Sequence, residues 1–360
     1  MSPTSCTGTL HWGFVDNSIA TIQTVTGPIA AADLGPTSVH EHLLIDLGVW
    51  FDAPADPEAE RVAGLLVAPE TETTVRANPF AVRDNLRLDS LDLAAAEMAR
   101  FRDAGGRTIV DLTLDDIGRD PARLRALSER TGVQVVMGCG HYIESAHPAG
   151  LRDRSVAELT EELLRDLREG VGGVRAGVIG EIGTSDPLGP GEAKVLQAAC
   201  RAQSATGVAL FVHLDPWGRN GHAVLDRIES AGVPLDRVAL CHLDPSLGRP
   251  TYARSLAARG AWVSIDIWGD EDAYGGRGMP TDVARAAAVR QAWDEGWAKQ
   301  LLIAQDVCTK TQLRAHGGHG YDHILTGVPT LLQEAGLPPE AMTTLVVDNP
   351  RRLLYGREAG

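Results

Sequence analysis

At 360 residues the chain can bury a large core, and 44% hydrophobic with 22% charged residues excludes a disordered or fibrous protein. A net charge of −15 argues against a nucleic-acid partner and is read as solubility. Five widely spaced cysteines (Cys6, Cys139, Cys200, Cys241, Cys308) without a CxxC pair argue against a disulfide framework or zinc knuckle and for a reducing, cytoplasmic setting.

Met1 to Ala20 has no basic patch ahead of an apolar run, so no signal peptide is expected, and no stretch approaches the roughly 18 apolar residues of a membrane span. Thr21 to Val25 reads as a strand turning at Gly27-Pro28, with a second turn at Leu34-Gly35-Pro36, a small hairpin capping one end of the fold. Thr37 to Leu44 is the first buried strand and carries Val39-His40-Glu41-His42-Leu43. Asp46 to Asn85, irregular and rich in proline and acids, is expected to form a lid or pocket wall.

From there a unit recurs. Helix Leu88–Arg102, with apolar residues at helical spacing, is followed by strand Thr108–Leu112 and a helix opened by Asp120-Pro121 and closed near Gly132. Strand Val133–Met137 leads through the loop 138–150 to a helix from Ser155 to Glu169, where Ser155 and Glu158 have capping-box spacing. Strands Ala176–Glu181, Val208–His213, Val238–His242, Ala261–Ile267 and Leu301–Asp306 each precede a helix, near 191–206, 223–231, 250–259, 281–297 and 324–335. Eight such units give an α/β fold and fit a (β/α)8 TIM barrel with a short N-terminal β-hairpin, divided as residues 1–36 for the N-terminal segment and hairpin and 37–360 for the barrel. An open doubly wound sheet would want a glycine-rich phosphate fingerprint after the first strand, where this chain has His-Glu-His.

Side chains two apart on a strand share a face, so His40 and His42 can reach one ion. Glu181, His213, His242 and Asp306 stand at or near the ends of strands four, five, six and eight, and in a barrel those ends converge on one mouth. Any one of these histidines alone is more often a core or surface residue; six ligand-type residues recurring at strand ends point to a metal centre. Four imidazoles and two carboxylates suit Zn2+, Mn2+ or Fe2+ rather than Mg2+ or Ca2+. Asp266, near the end of strand seven, is placed either to orient His242 or to cap a helix or loop.

The run Thr24-Val25-Thr26-Gly27-Pro28, Leu34-Gly35, Val39 to Leu43, Gly180 to Ser185, His242 and Gly317-Gly318-His319-Gly320-Tyr321, in that order, resembles the phosphotriesterase family of the amidohydrolase superfamily from about Thr21 to the C-terminus. Thr309-Lys310-Thr311 with the following Gly-Gly-His-Gly-Tyr loop looks most like its phosphotriesterase-related proteins of animals and their bacterial relatives. The resemblance implies two divalent metal ions, zinc first. His40, His42 and Asp306 would hold the more buried ion, His213 and His242 the more exposed one, and Glu181 would bridge them. It further implies attack by a shared hydroxide on a polarised carbonyl or phosphoryl group, with Asp306 as proton acceptor, and dimerisation as a family expectation.

Two departures bear on the chemistry. Many members bridge their metals with a carboxylated lysine on strand four, where this chain has Glu181. Proficient phosphotriesterases are similar to a pattern with His after the strand-seven Asp and Asp-Asp after the strand-six His. This chain reads Asp266-Ile267 and His242-Leu243-Asp244-Pro245, which argues against efficient organophosphate hydrolysis.

Around the mouth, His141, Tyr142 and Lys310 are candidate substrate contacts, with loop packing the alternative for the first two and a surface ion pair for Lys310. Trp50, Trp217, Trp268 and Tyr274 are candidate apolar walls, and His316, His319 and His323 read as loop scaffolding. The expected activity is hydrolysis of a carboxyl bond in a small molecule (N-acyl amide, ester or lactone), tilted by the animal-like loop to an N-acyl amide with an acidic group. Lactone or phosphotriester hydrolysis is the second reading, and a non-catalytic metal- or ligand-binding barrel is the rival from another class. A basic pocket at Lys310 would favour the anionic amide; an apolar channel between the 46–85 insertion and the 268–280 loop would favour lactones.

Overall fold

The structure, a computed structural model, describes residues 21–274 and 276–355; the stretch 1–20 read for a signal peptide, and Cys6 within it, lie outside the described residues. Thr21–Thr24 and Gly27–Ala30 pair antiparallel as the expected hairpin, which docks through the Val25 N–H on Val135 O at 2.9 Å.

Eight parallel strands follow: Thr37–Glu41, Thr108–Asp111, Gln134–Met137, Ile179–Thr184, Leu210–Leu214, Val238–Cys241, Trp262–Ile265 and Leu301–Ile303. The first three form one ladder and the last five another. Backbone hydrogen bonds join them at both edges: Gly177 to Met137 (2.9 Å) and Gly180 to Cys139 (2.8 Å) at one, Asp306 to His40 (3.1 Å) at the other. The eight strands thus close on themselves as the (β/α)8 arrangement requires. Val39, Val110, Val136, Val178, Phe211 and Leu302 pack inside, and Ile22, Leu34, Leu353 and Leu354 join the same cluster from the hairpin side and the C-terminal helix. That end is plugged, which leaves the C-terminal strand ends for a site.

Helix boundaries follow local chemistry. Ser155 and Glu158 form the expected capping box ahead of Val156–Arg168, and Asp120 caps Pro121–Thr131, which ends at Gly132 in a left-handed conformation (φ 74°). The fourth strand runs later than expected, Ile179–Thr184 rather than Ala176–Glu181, because Ala176 is drawn back onto the preceding helix through its N–H to Asp166 O at 3.0 Å. Glu181 therefore sits inside a strand. Gly183 beside it admits the loop after strand three, since a Cβ there would lie 2.2 Å from Ile143 N.

The 46–85 insertion is less irregular than its composition suggests. It contains helices Pro57–Ala63 and Glu72–Ala77, and Ile45–Asp46 pairs with Arg87–Leu88, so Leu88 is in a strand and the next helix starts at Leu91 behind the Ser90 cap. The expected helix 324–335 is broken into His323–Thr326 and Val328–Glu334 next to Pro329, which has no N–H to continue the ladder. No helix among the described residues is long and apolar enough to cross a membrane.

Candidate metal centre

The six expected ligand side chains converge at the C-terminal strand ends. His42 Nε2 lies 3.1 Å from Asp306 Oδ1 and 3.5 Å from Glu181 Oε1, while His40 Nε2 lies 3.5 Å from both Glu181 Oε2 and Asp306 Oδ1. On the other side of Glu181, His213 Nδ1 and His242 Nε2 each lie 3.1 Å from Oε2. Glu181 thus faces His42 with one oxygen and His40, His213 and His242 with its second, which places a single carboxylate within reach of all four rings.

Four of the six stand where the backbone leaves regular geometry. Ladder registers shift between Ser38 and Glu41, spanning His40, and between Ile179 and Ile182, spanning Glu181. His242 (φ 63°) and Asp306 (φ 48°) are the non-glycine residues with positive φ among the described residues. Bulges and left-handed residues re-aim side chains next to active sites.

Buried carboxylates fix the rings. Asp266 accepts from the His242 N–H at 3.0 Å, and its two oxygens lie 3.1 Å from His242 Nδ1 and from His40 Nδ1. It orients one ring from each expected metal set, rather than His242 alone. Thr113 Oγ1 is 2.9 Å from His42 Nδ1, and the Tyr321 hydroxyl donates to His42 O at 2.7 Å. Sequence reading missed Glu41, between the two histidines. Fully buried, it accepts from Ser38 Oγ and from Gln305 and Val307 N–H at 2.6, 3.0 and 2.9 Å, gripping the chain on both sides of Asp306. An acidic residue set between two candidate ligand histidines in a buried strand was the available signal.

The cluster fits divalent cations. His40 Nε2 is buried without a hydrogen-bond partner. Burial opposes charge on His40, yet Glu181 and then Cys241, Asp306 and Asp266 outweigh it and hold the ring well above its ordinary value. Burial likewise opposes charge on His42, which Asp306 and Glu181 hold at about 9. Burial keeps His213 below its ordinary value, but a site that draws protons onto the other three buried imidazoles is short of positive charge, which cations would supply while leaving the rings neutral.

Around the centre, Leu47, Trp50, Phe80, Trp217, Ile267, Tyr274 and Met279 form a largely apolar pocket, with Trp50 and Phe80 stacked at 6.0 Å and Phe80 and Tyr274 at 4.7 Å between centroids. The insertion is therefore a pocket wall. Tyr142 reaches the pocket, its hydroxyl 3.3 Å from His213 Nδ1 and 3.2 Å from Trp50 Nε1. Three candidates for the pocket lie outside its lining, Lys310 and His141 in the alternative roles the sequence left open. Lys310 is turned away to pair with Asp84 at 2.6 Å and lines a separate recess. Trp268 is buried in the core. His141 packs between Glu162 (2.9 Å) and Asp116 (3.6 Å), outside the pocket lining. His323, as scaffolding, pairs with Asp282 at 2.6 Å.

The His141–Glu162 pair gives a pH dependence. Burial opposes charge on His141, but Asp116 and Glu162 raise it from 6.5 to about 9; His141, with Arg154 helping, lowers Glu162 from 4.5 to about 2. The raised group stabilises fully below pH 6.5 and fades towards pH 9, and the lowered one stabilises fully above pH 4.5 and fades towards pH 2. The difference in melting temperature between the wild type and His141→Gln, scanned against pH, is therefore expected to be largest between about 4.5 and 6.5 and to shrink by pH 9.

The sequence model of the phosphotriesterase family matches residues 20–354. Over 343 residues the chain is 33% identical to N-acetyltaurine hydrolase from Salmo salar, covering 92% of this chain and 97% of that protein. A resiniferatoxin-binding protein from Rhodobacter sphaeroides superposes with a TM-score of 0.91 at 40% identity, over 93% of this chain and 95% of the other. A lactonase from Listeria monocytogenes superposes with a TM-score of 0.75 at 25% identity, over 94% and 100%.

Proposed function

The chain belongs to the phosphotriesterase family, and we propose that this hydrolase cleaves a carboxyl bond, ester or lactone ahead of N-acyl amide, in a substrate whose apolar part lies against Trp50, Phe80 and Tyr274. The apolar pocket over the six-residue cluster carries this reading: among the described residues no lysine or arginine lines it, and the cation expected there, Lys310, is spent on Asp84. Salmon N-acetyltaurine hydrolase is named for an anionic amide and the Listeria relative for lactone hydrolysis. The lining supports the second pattern: inside the pocket an anionic substrate would meet the Asp270, Glu181 and Asp306 carboxylates, and the nearby guanidinium of Arg277 lies outside the lining, over the Trp217 ring at 5.4 Å.

His40, His42 and Asp306 would hold one cation and His213 and His242 another, with Glu181 between them; the imidazole-rich set supports zinc, then manganese or iron. When bound, such a pair supplies an ionised water near neutral pH and polarisation of the scissile carbonyl. The protein's own groups do the rest. Asp306 takes the proton of the attacking water and delivers it to the leaving group, and Asp266 keeps His40 and His242 in register. The Tyr142 hydroxyl, which accepts from Trp50 Nε1, forms the pocket wall beside His213.

Metal-loaded protein assayed against alkyl lactones, aryl esters, N-acyl amino acids and N-acyl aminosulfonates is expected to favour the first two classes by about 100-fold or more in kcat/KM. A reversed order would return the anionic amide as substrate. No turnover of any member would favour a binding role.

A further inference from the structure

Outside the metal cluster, one carboxylate reaches the pocket: Asp270, which follows the seventh strand and is buried. Its Oδ1 accepts the Asp272 N–H at 2.9 Å, and its Oδ2 accepts Gln312 Nε2 at 3.3 Å and the Tyr274 hydroxyl. Three donors use three of the roughly four acceptor positions a carboxylate offers. No ammonium or guanidinium pairs with it among the described residues; Arg285 reaches its backbone carbonyl instead, at 2.8 Å. Gln312 is committed elsewhere too, its Oε1 accepting from Cys308 and Thr309 N–H at 2.9 and 2.8 Å. The polar spot is therefore fixed, acceptor-rich and set into the aromatic wall where Tyr274 meets Phe80. Burial pushes the Asp270 carboxyl above its ordinary range, a cost that a donor or cation arriving with the substrate would offset.

We propose that Asp270 is a specificity-determining residue that accepts a hydrogen bond from a hydroxyl or ammonium group on the substrate and repels carboxylates and sulfonates. The substrate class is then an aryl or cyclic ester or lactone that carries a donor and no anionic group. This rests on the hydrolytic reading above and adds to it the polar half of the substrate. Removing a built acceptor leaves a matching donor unpaired, whereas removing a repulsive charge admits an anion, so one substitution moves the two substrate types in opposite directions.

The test uses metal-loaded protein and three para-substituted esters of similar size: the 4-(hydroxymethyl)phenyl, 4-(aminomethyl)phenyl and 4-carboxyphenyl acetates. Wild type is expected to favour the first two over the third by about 100-fold in kcat/KM, carried mainly by KM, and Asp270→Asn to narrow that ratio about 10-fold or more. Equal use of the carboxyphenyl ester by wild type, or an unchanged ratio in Asp270→Asn, overturns the proposal. Should Asp270→Asn not fold, Tyr274→Phe removes one donor and leaves the carboxylate more exposed to substrate. The ratio then widens, and an unchanged or narrower one overturns the proposal. If no ester is turned over, the hydrolytic reading fails and the recognition is still measured. Quenching of Trp50 and Trp217 by benzylamine and benzoate gives an affinity ratio that must shift towards benzoate in Asp270→Asn, and no shift overturns it.

Discussion

Asp306→Asn is expected to leave a folded protein with its full metal content and to lower kcat/KM towards the best lactone or ester by about 10²- to 10⁴-fold. The substitution keeps the size of the side chain and an oxygen able to face His42 and His40, now 3.1 and 3.5 Å from Asp306 Oδ1, but removes the capacity to take a proton. The backbone gives asparagine no reason to move: residue 306 sits in the left-handed region at φ 48°, which asparagine tolerates as well as aspartate, with its N–H on His40 O at 3.1 Å. Glu41 holds Gln305 and Val307 independently of residue 306. Metal content by mass spectrometry separates the outcomes. Metal retained with activity lost assigns the proton to Asp306, activity within about threefold of wild type removes it from that role, and metal lost with activity makes Asp306 chiefly a ligand.

The legible part of this site was the part carried by residue type and strand position. His40-x-His42, Glu181, His213, His242 and Asp306 follow from ligand chemistry placed at the ends of apolar runs, and the structure brings all six together. The means of convergence was hidden. A period of two assumes regular strands, whereas His40 and Glu181 lie at register shifts and His242 and Asp306 at positive φ, conformations that the pattern of apolar residues does not encode. Pairing across long separations was equally opaque. Lys310, placed after strand eight, read either as a pocket cation or as half of an ion pair, and its partner Asp84, 226 positions earlier, could not be named from the sequence. Glu41 lacked a role until strand eight closed against strand one. Trp268 lies in a mouth loop but turns into the core, while Trp50 and Trp217 line the pocket.

Arg285→Met is expected to cost about 3–5 kcal/mol of stability, the largest loss from a single change away from the site. Arg285 is fully buried and its guanidinium is spent on Asp244 Oδ1 at 2.7 Å, Asp282 Oδ1 at 2.8 Å and Asp270 O at 2.8 Å. Methionine fills much of the volume, so the loss reads out two carboxylates left in the interior rather than a cavity. Denaturation in urea should show it, and adding Asp244→Asn to Arg285→Met should recover at least about 1 kcal/mol, because the neutral amide no longer needs the partner. The same substitution tests whether this network supports the metal centre. Asp244 Oδ2 accepts the Asp266 N–H at 3.0 Å, and Asp266 in turn holds His40 and His242. If Asp244 positions Asp266, Arg285→Met will weaken metal affinity about 10- to 100-fold, the effect of losing support behind ligating histidines. Metal affinity unchanged beside a full loss of stability would place the Asp244–Arg285–Asp282 network in the scaffold alone and leave the backbone of strand seven to aim Asp266 unaided.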